Sequence, residues 1–297
     1  MTMTRVRFET VDVFTKRRFG GNQLAVFPDA TGISDDDMQR LAAEFNLSET
    51  TFVLPPADTS HTARVRIFNR SHEMPFAGHP MVGTAFVLAS SGPADVNTLT
   101  FEVPAGLVAV EVNRRDDAVT GATIEAPQPL SLGLELTASV IAPCVALTAD
   151  DLIVSNHAPV VVSTGNTYMA AEVTPDALDR AVPDINMFRQ VREAHAGFNG
   201  RFSLYLYAHR DGGISSRMFA PLVGTYEDPA TGSAATPIAA LLLKLSGKER
   251  HSIEIHQGVK MGRPSALHAS AWQTPDGIRA SVGGSCVPVL SGEATLD

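Results

Sequence analysis

Apolar and polar residues alternate through Val11-Asp12-Val13-Phe14 and again through Leu24-Ala25-Val26-Phe27, with the turn-forming Phe19-Gly20-Gly21-Asn22 between them. A period of two puts successive side chains on opposite faces, so two joined strands are expected. The period then lengthens. Ile33, Met38, Leu41, Ala42 and Phe45 share one helical face. Ser34 is placed to cap that helix, with Asp37 three residues on and acids from Asp35 to Asp37 matching its positive end. Alternation returns at 51–54 and 64–68, where Val65 and Ile67 face one side and Arg64 and Arg66 the other. Further strands are expected at 99–103, 107–112 and 122–125.

Between Glu73 and Asp95 no residue carries a formal charge. A helix over 80–89 would have Met81, Val82, Phe86, Val87 and Leu88 around its whole circumference, and such a helix is buried on all sides. The second half repeats the grammar. An apolar run at 159–163 leads to Thr164-Gly165-Asn166, helices are expected near 175–181 and 185–195, and strands near 203–208 and 214–219. A second uncharged segment then runs from Pro229 to Leu243, again apolar on too many sides for a surface helix. Pro80 and Pro237 are each expected in the first turn of their helix, where a missing N–H is harmless.

The two halves match in order. Glu73-Met-Pro-Phe-Ala-Gly78-His79 aligns with Glu227-Asp-Pro-Ala-Thr-Gly232-Ser233, Arg66-Ile67-Phe68 with Arg217-Met218-Phe219, and Gly21-Asn22 with Gly165-Asn166. Three matches at a nearly constant spacing of roughly 150 residues read as two copies of one unit. Each uncharged helix needs apolar surface all round, and only the flanking strands are numerous enough to supply it. The expected fold is therefore α+β: two duplicated domains, each a curled, mostly antiparallel β-sheet or barrel around a central buried α-helix. The run Ala126-Pro127-Gln128-Pro129 divides them into 1–128 and 129–297. After Gly284 two courses are open, finishing the second domain or returning to the first.

Composition narrows the function. With 297 residues, 44% hydrophobic and 19% charged, the chain is a folded globular protein of more than one core. A net charge of −9 repels phosphate backbones, so nucleic acid is not an expected partner. No run reaches the ~20 apolar residues that span a bilayer, and the N-terminus lacks a signal-peptide stretch. Cys144 and Cys286 are too few for a disulfide framework, which suits a reducing cytoplasm. Phosphate-binding, dinucleotide, hydrolase-elbow and zincin motifs are missing. No third ligand stands at a metal-like spacing from His72 and His79, so no metal is expected.

Candidate chemistry gathers at the repeated helix starts. Free N–H groups at Gly78-His79 and Gly232-Ser233, with the helix dipoles, would attract an anion, most simply a substrate carboxylate. Taken singly, Gly78 and Gly232 read as packing glycines, Ser233 as a cap, Asp228 as a turn initiator before Pro229, and His79 as a satisfied histidine. Repetition favours the anion reading for the glycines. Glu49 is the lone carboxylate in Asn46-Leu47-Ser48-Glu49-Thr50-Thr51. Turned into an apolar cleft, it would have a raised pKa suited to taking and returning a proton.

At these residues the chain resembles the phenazine-biosynthesis PhzF-like isomerase family, within the diaminopimelate epimerase-like fold. The resemblance runs from Phe19-Gly-Gly-Asn-Gln-Leu-Ala-Val26 through Leu47-Ser-Glu49-Thr and Pro75-Phe-Ala-Gly-His-Pro80 to Glu227-Asp-Pro-Ala-Thr-Gly-Ser-Ala234 and Gln257-Gly-Val-Lys-Met-Gly-Arg-Pro264. It implies two barrel-around-helix domains with the active site between them, a homodimer and no organic cofactor. By motif, Glu49 matches the family's acid/base carboxylate, His79 and Asp228 match groups that assist proton movement, and Gly78, Gly232 and Ser233 match carboxylate-binding positions. Asn69-Arg70 departs from the Thr-Pro expected after Arg-Ile-Phe. A related epimerase and racemase branch carries cysteine bases just before the helix-start glycines, where this chain has Ala77 and Thr231. The expected function is a cofactor-independent isomerase of a small carboxylate. A non-cysteine epimerase and a binding protein without turnover stay open.

Overall fold

A computed structural model of the chain describes residues 4–198 and 201–297. The chain divides into two compact units, Met1–Glu125 with Gly283–Asp297, and Ala126–Val282.

The first unit contains β1 (Thr4–Val13), β2 (Asn22–Phe27), α1 (Asp35–Phe45), β3 (Glu49–Leu54), β4 (Ala63–Phe68), the two-residue β5 (Glu73–Met74), α2 (Gly78–Ser91), β6 (Thr98–Val103), β7 (Gly106–Arg115) and β8 (Ala118–Glu125). β1 is antiparallel to β2, β2 parallel to β3, β3 antiparallel to β4, and β4 parallel to β6. β6, β7 and β8 continue as an antiparallel meander. The last strand of the chain then closes the ring, pairing antiparallel with β1 and also with β8. The result is an eight-strand barrel. α2 fills it, with eleven of its residues buried from Gly78 to Ala89. Charge is missing from α2 because no side of it meets water. Gly83 permits the close fit, since a Cβ there would stand 2.6 Å from Leu24 and 2.8 Å from Val13. α1 packs outside the barrel, where Met38, Leu41 and Ala42 join Phe27, Phe52 and Phe68 in an outer core. Its Ser34 cap forms as the sequence predicts, accepting from the Asp37 amide at 3.1 Å.

The second unit contains β9 (Ser131–Glu135), α3 (Ala138–Ile141), β10 (Val160–Ser163), β11 (Thr167–Glu172), α4 (Pro175–Arg180), α5 (Ile185–Ala194), β12 (Leu204–Arg210), β13 (Gly213–Ala220), β14 (Thr225–Asp228), α6 (Gly232–Ser246), β15 (Arg250–Gln257) and β16 (Ser265–Thr274). β17 (Gly277–Leu296) begins here and continues into the first unit. The order of pairing repeats that of the first unit: β10 antiparallel to β11, β11 parallel to β12, β12 antiparallel to β13, β13 parallel to β15, and β15 antiparallel to β16. β9 adds to β10. α6 is the buried helix, and α3, α4 and α5 cover an outer core containing Phe188, Phe198, Phe202 and Phe219. Pro237 lies one turn deeper than the sequence predicts, inside α6. The helix starts at Gly232, so this proline removes the amide that would otherwise meet the Ser233 carbonyl.

Of the two courses open after Gly284, the chain takes the return to the first unit. The division falls between Glu125 and Ala126, and the Ala126 amide already bonds to Ala280 of the second unit.

Candidate active site

The repeated arginine and glutamate prove to be each other's partners. Arg66 on β4 grips Glu73 on β5 through two hydrogen bonds of 2.8 and 2.7 Å, with its guanidinium 5.0 Å from the Phe68 ring. Arg217 on β13 grips Glu227 on β14 through two bonds of 2.8 Å, 4.8 Å from the Phe219 ring. A bidentate guanidinium–carboxylate pair is rigid as well as strong. In each unit it braces the short hairpin whose exit leads straight to the start of the buried helix. That explains why Arg, Phe, Glu and Gly recur together.

In the first unit, α1 stops at Asn46, whose left-handed backbone (φ 53) turns its amide onto the Ala42 and Ala43 carbonyls. The chain then reverses into β3 and sets Glu49 as the first residue of that strand, in parallel register with Leu24. His79, the second residue of α2, is 6% exposed. Its Nε2 lies 3.3 Å from Glu49 Oε2, and its Nδ1 lies 3.4 Å from Asn22 Nδ2 at the start of β2. Burial pushes the imidazole down to about 3, against a weaker upward pull from a backbone hydrogen bond at Gln23. At neutral pH the ring is therefore uncharged, and its contact with Glu49 is not an ion pair. The two atoms are near but make no hydrogen bond to each other. Ala77, in the capping position, has no side chain that could bond the first amides of α2. The Gly78 and His79 N–H groups belong to the first turn, where the helix itself supplies no acceptor.

In the second unit, Asp228 ends β14 and is 8% exposed. Thr231 donates its hydroxyl to Asp228 Oδ2 and so is not used to cap α6. Gln257, fully buried at the end of β15, organises the whole turn. Its Nε2 donates to the Asp228 carbonyl at 2.8 Å and to Thr231 Oγ1 at 3.0 Å, while its Oε1 accepts from the Thr231 amide at 3.3 Å. Ser265 Oγ holds the Pro229 carbonyl at 2.9 Å. Gly232 and Ser233 are the first two residues of α6, and the Ser233 hydroxyl lies 2.6 Å from that of Tyr168 on β11.

The structure thus brings Glu49, His79 and Gly78 together in one unit, and Asp228, Gly232 and Ser233 in the other. Sequence reasoning misses the parts played by Asn22, Tyr168 and Gln257. Asn22 and Gln257 stand inside motifs, but nothing in their spacing shows that one meets an imidazole and the other holds a turn some thirty residues away. Asn69, the departure from the expected motif, forms a turn in which Oδ1 accepts from the Ser71 and His72 amides, both at 2.8 Å. Arg70 reaches back to the Asn46 carbonyl at 3.2 Å.

Thiol chemistry has no place at either helix start. Ala77 and Thr231 precede the two glycines, and Cys144 and Cys286 are buried thiols pushed up to about 12, chiefly by burial. Among the described residues no three His, Cys, Asp or Glu side chains converge in a way that could hold a metal ion, and no helix is long and apolar enough to cross a membrane.

The profile of the PhzC-PhzF family, described as phenazine biosynthesis-like protein, matches residues 11–292. A trans-2,3-dihydro-3-hydroxyanthranilate isomerase of Pseudomonas chlororaphis is 35% identical over 289 residues, covering 96% of this chain and 98% of its own. An uncharacterised isomerase of Mesorhizobium japonicum is 35% identical over 295 residues, covering 95% and 96%. Among solved structures, a PhzF-family phenazine biosynthesis protein of Bacillus anthracis superposes with a TM-score of 0.88 at 22% identity, covering 99% of this chain and 100% of that one, a likeness of fold. A predicted epimerase of Pseudomonas aeruginosa gives a TM-score of 0.80 at 33% identity, covering 97% and 99%.

Proposed function

Because the chain belongs to the phenazine biosynthesis-like PhzC-PhzF family and is an isomerase, we propose that it moves a proton between two carbons of a small carboxylate-bearing metabolite without a cofactor. The reading rests on one observation above all, the 3.3 Å contact between the Glu49 carboxyl and a buried, neutral His79 at the start of α2. In this proposal Glu49 takes a proton from carbon, and the C–H electron pair spreads into the adjoining unsaturated system. The same carboxyl group returns the proton at a second carbon, shifting the double bond. His79 and Asp228 assist the proton's movement. The helix-start amides at Gly78, Gly232 and Ser233 hold the substrate carboxylate and the negative charge that develops. A homodimer in the cytoplasm is part of the same proposal, and sedimentation equilibrium tests the assembly.

The first substrate to try is trans-2,3-dihydro-3-hydroxyanthranilate, because relatives at 34% and 35% identity are named for it. In deuterated water, Glu49→Gln should lose about 10²-fold or more of both turnover and deuterium uptake at carbon. Undiminished uptake would remove Glu49 from the role. A second reading, epimerisation by non-thiol groups, draws on the likeness to a predicted epimerase at 33% identity. Inversion at one stereocentre with no shift of a double bond would decide for it.

A further inference from the structure

At the C-terminal end of α6, far along the helix from Gly232, the second unit holds a cleft of about 760 Å³ that the proposed reaction does not use. This volume is within the range of small-ligand sites, roughly 300–1,000 Å³. The end of β11, the turn between β12 and β13, the last turn of α6 and the start of β15 line it.

Its floor carries an acid. Glu172 is 4% exposed, and its Oε2 accepts from Asn156 Nδ2 at 2.8 Å and from the Tyr207 hydroxyl at 3.5 Å. Oε1 accepts no hydrogen bond from the described residues, and the closest cationic candidate, His209 Nε2, is 3.9 Å away. Oε1 keeps some contact with solvent, so an occupant of the cleft can reach it and complete the pairing of a carboxylate otherwise withdrawn from water. Arg210 also lines the cleft, but its guanidinium bonds the Pro175 carbonyl at 3.1 Å and Asp179 at 3.2 Å. His251 Nε2 is sealed from solvent and makes no hydrogen bond among the described residues. Burial, with Lys248 and His209 nearby, lowers the His251 pKa. Leu242, Leu245 and Ile253 supply an apolar wall to the cleft that Glu172 also lines.

We propose that this cleft is a second binding site, for a small organic ammonium compound with a short alkyl portion. Its N–H donors would meet Glu172 Oε1, and its alkyl part would lie on Leu242 and Leu245. No cluster of three acidic, histidine or cysteine side chains here has the geometry to hold a metal ion, which favours an organic cation. The proposal is independent of the reaction assigned to Glu49.

The probe is n-butylammonium, followed through the ring C–H resonances of His209 and His251. We expect saturable shifts with a Kd of about 1–10 mM, and the same shifts in Glu49→Gln. Glu172→Gln should weaken binding about ten-fold or more, the loss of a charge-assisted bond. Leu245→Trp alters a residue 44% exposed at the rim, so folding should survive it while the cleft is blocked and the shifts vanish. The proposal is overturned by flat titrations to about 50 mM, by shifts that persist in both variants, by equal shifts with butyrate, or by zinc binding that excludes the amine. Should Glu172→Gln fail to fold, Leu245→Trp decides alone.

Discussion

Burial fixes the charge of His79, and through it the pH behaviour of the fold. The ring titrates near 6.5 when unfolded and at about 3 when folded. Between those values the unfolded chain binds the extra proton, so stability falls as pH is lowered through the window, by up to about 1.4 kcal/mol per pH unit for one site. Below the folded value this contribution stops changing. Urea unfolding between pH 7 and 4 should therefore show a slope shallower by about one proton in His79→Gln than in the wild type. Equal slopes would show that the folded and unfolded protein take up this proton alike, so that burial does not lower the His79 pKa. Glu49 and His79 are visible as candidates in sequence because they stand in the motifs that carry the family resemblance, Leu47-Ser-Glu49-Thr and Pro75-Phe-Ala-Gly-His-Pro80. Their contact is not visible, because it depends on α1 ending at Asn46 and on β3 lying beside β2.

At the scale of elements, α2 and α6 are legible because a helix without charge must be covered on every side. β9 is illegible for the opposite reason, being exposed along its whole length and so under no constraint to alternate. β16 is built largely of serine and alanine around few large residues, and gives a weak strand signal. The turn holding Asp228 depends on Gly258, which adopts a left-handed backbone (φ 73) directly after Gln257. A Cβ there would stand 2.4 Å from the Arg263 carbonyl oxygen and 2.5 Å from that of Pro229. Gly258→Ala should cost about 2 kcal/mol or more in chemical unfolding and reduce turnover. Gly262 has a similar backbone (φ 71) with open space around it, so Gly262→Ala should cost only about 1 kcal/mol. Equal losses in the two variants would show that the contact with Pro229 has no part in the effect.

At the scale of the whole chain, the last fifteen residues complete the barrel that contains Glu49 and His79. They pair with β1 from Thr4 to Val13, and Gly283 and Gly284 pack so closely on β8 that Gly121 could not carry a side chain without meeting the Gly284 carbonyl. Deleting 283–297 opens the ring and strips two strands of a partner. Hydrogen exchange should show lost protection in β1 and β8, and turnover should disappear. Protection retained in both strands would mean that the barrel closes without this segment. Duplication, barrel class and the two helix starts are written in the sequence, because burial and turn chemistry constrain residue type locally and the repeat states each constraint twice. Which strand closes the first unit's ring and which imidazole meets a carboxyl were decided only by tertiary structure. Those outcomes join residues distant along the chain, and no local pattern records such a pairing.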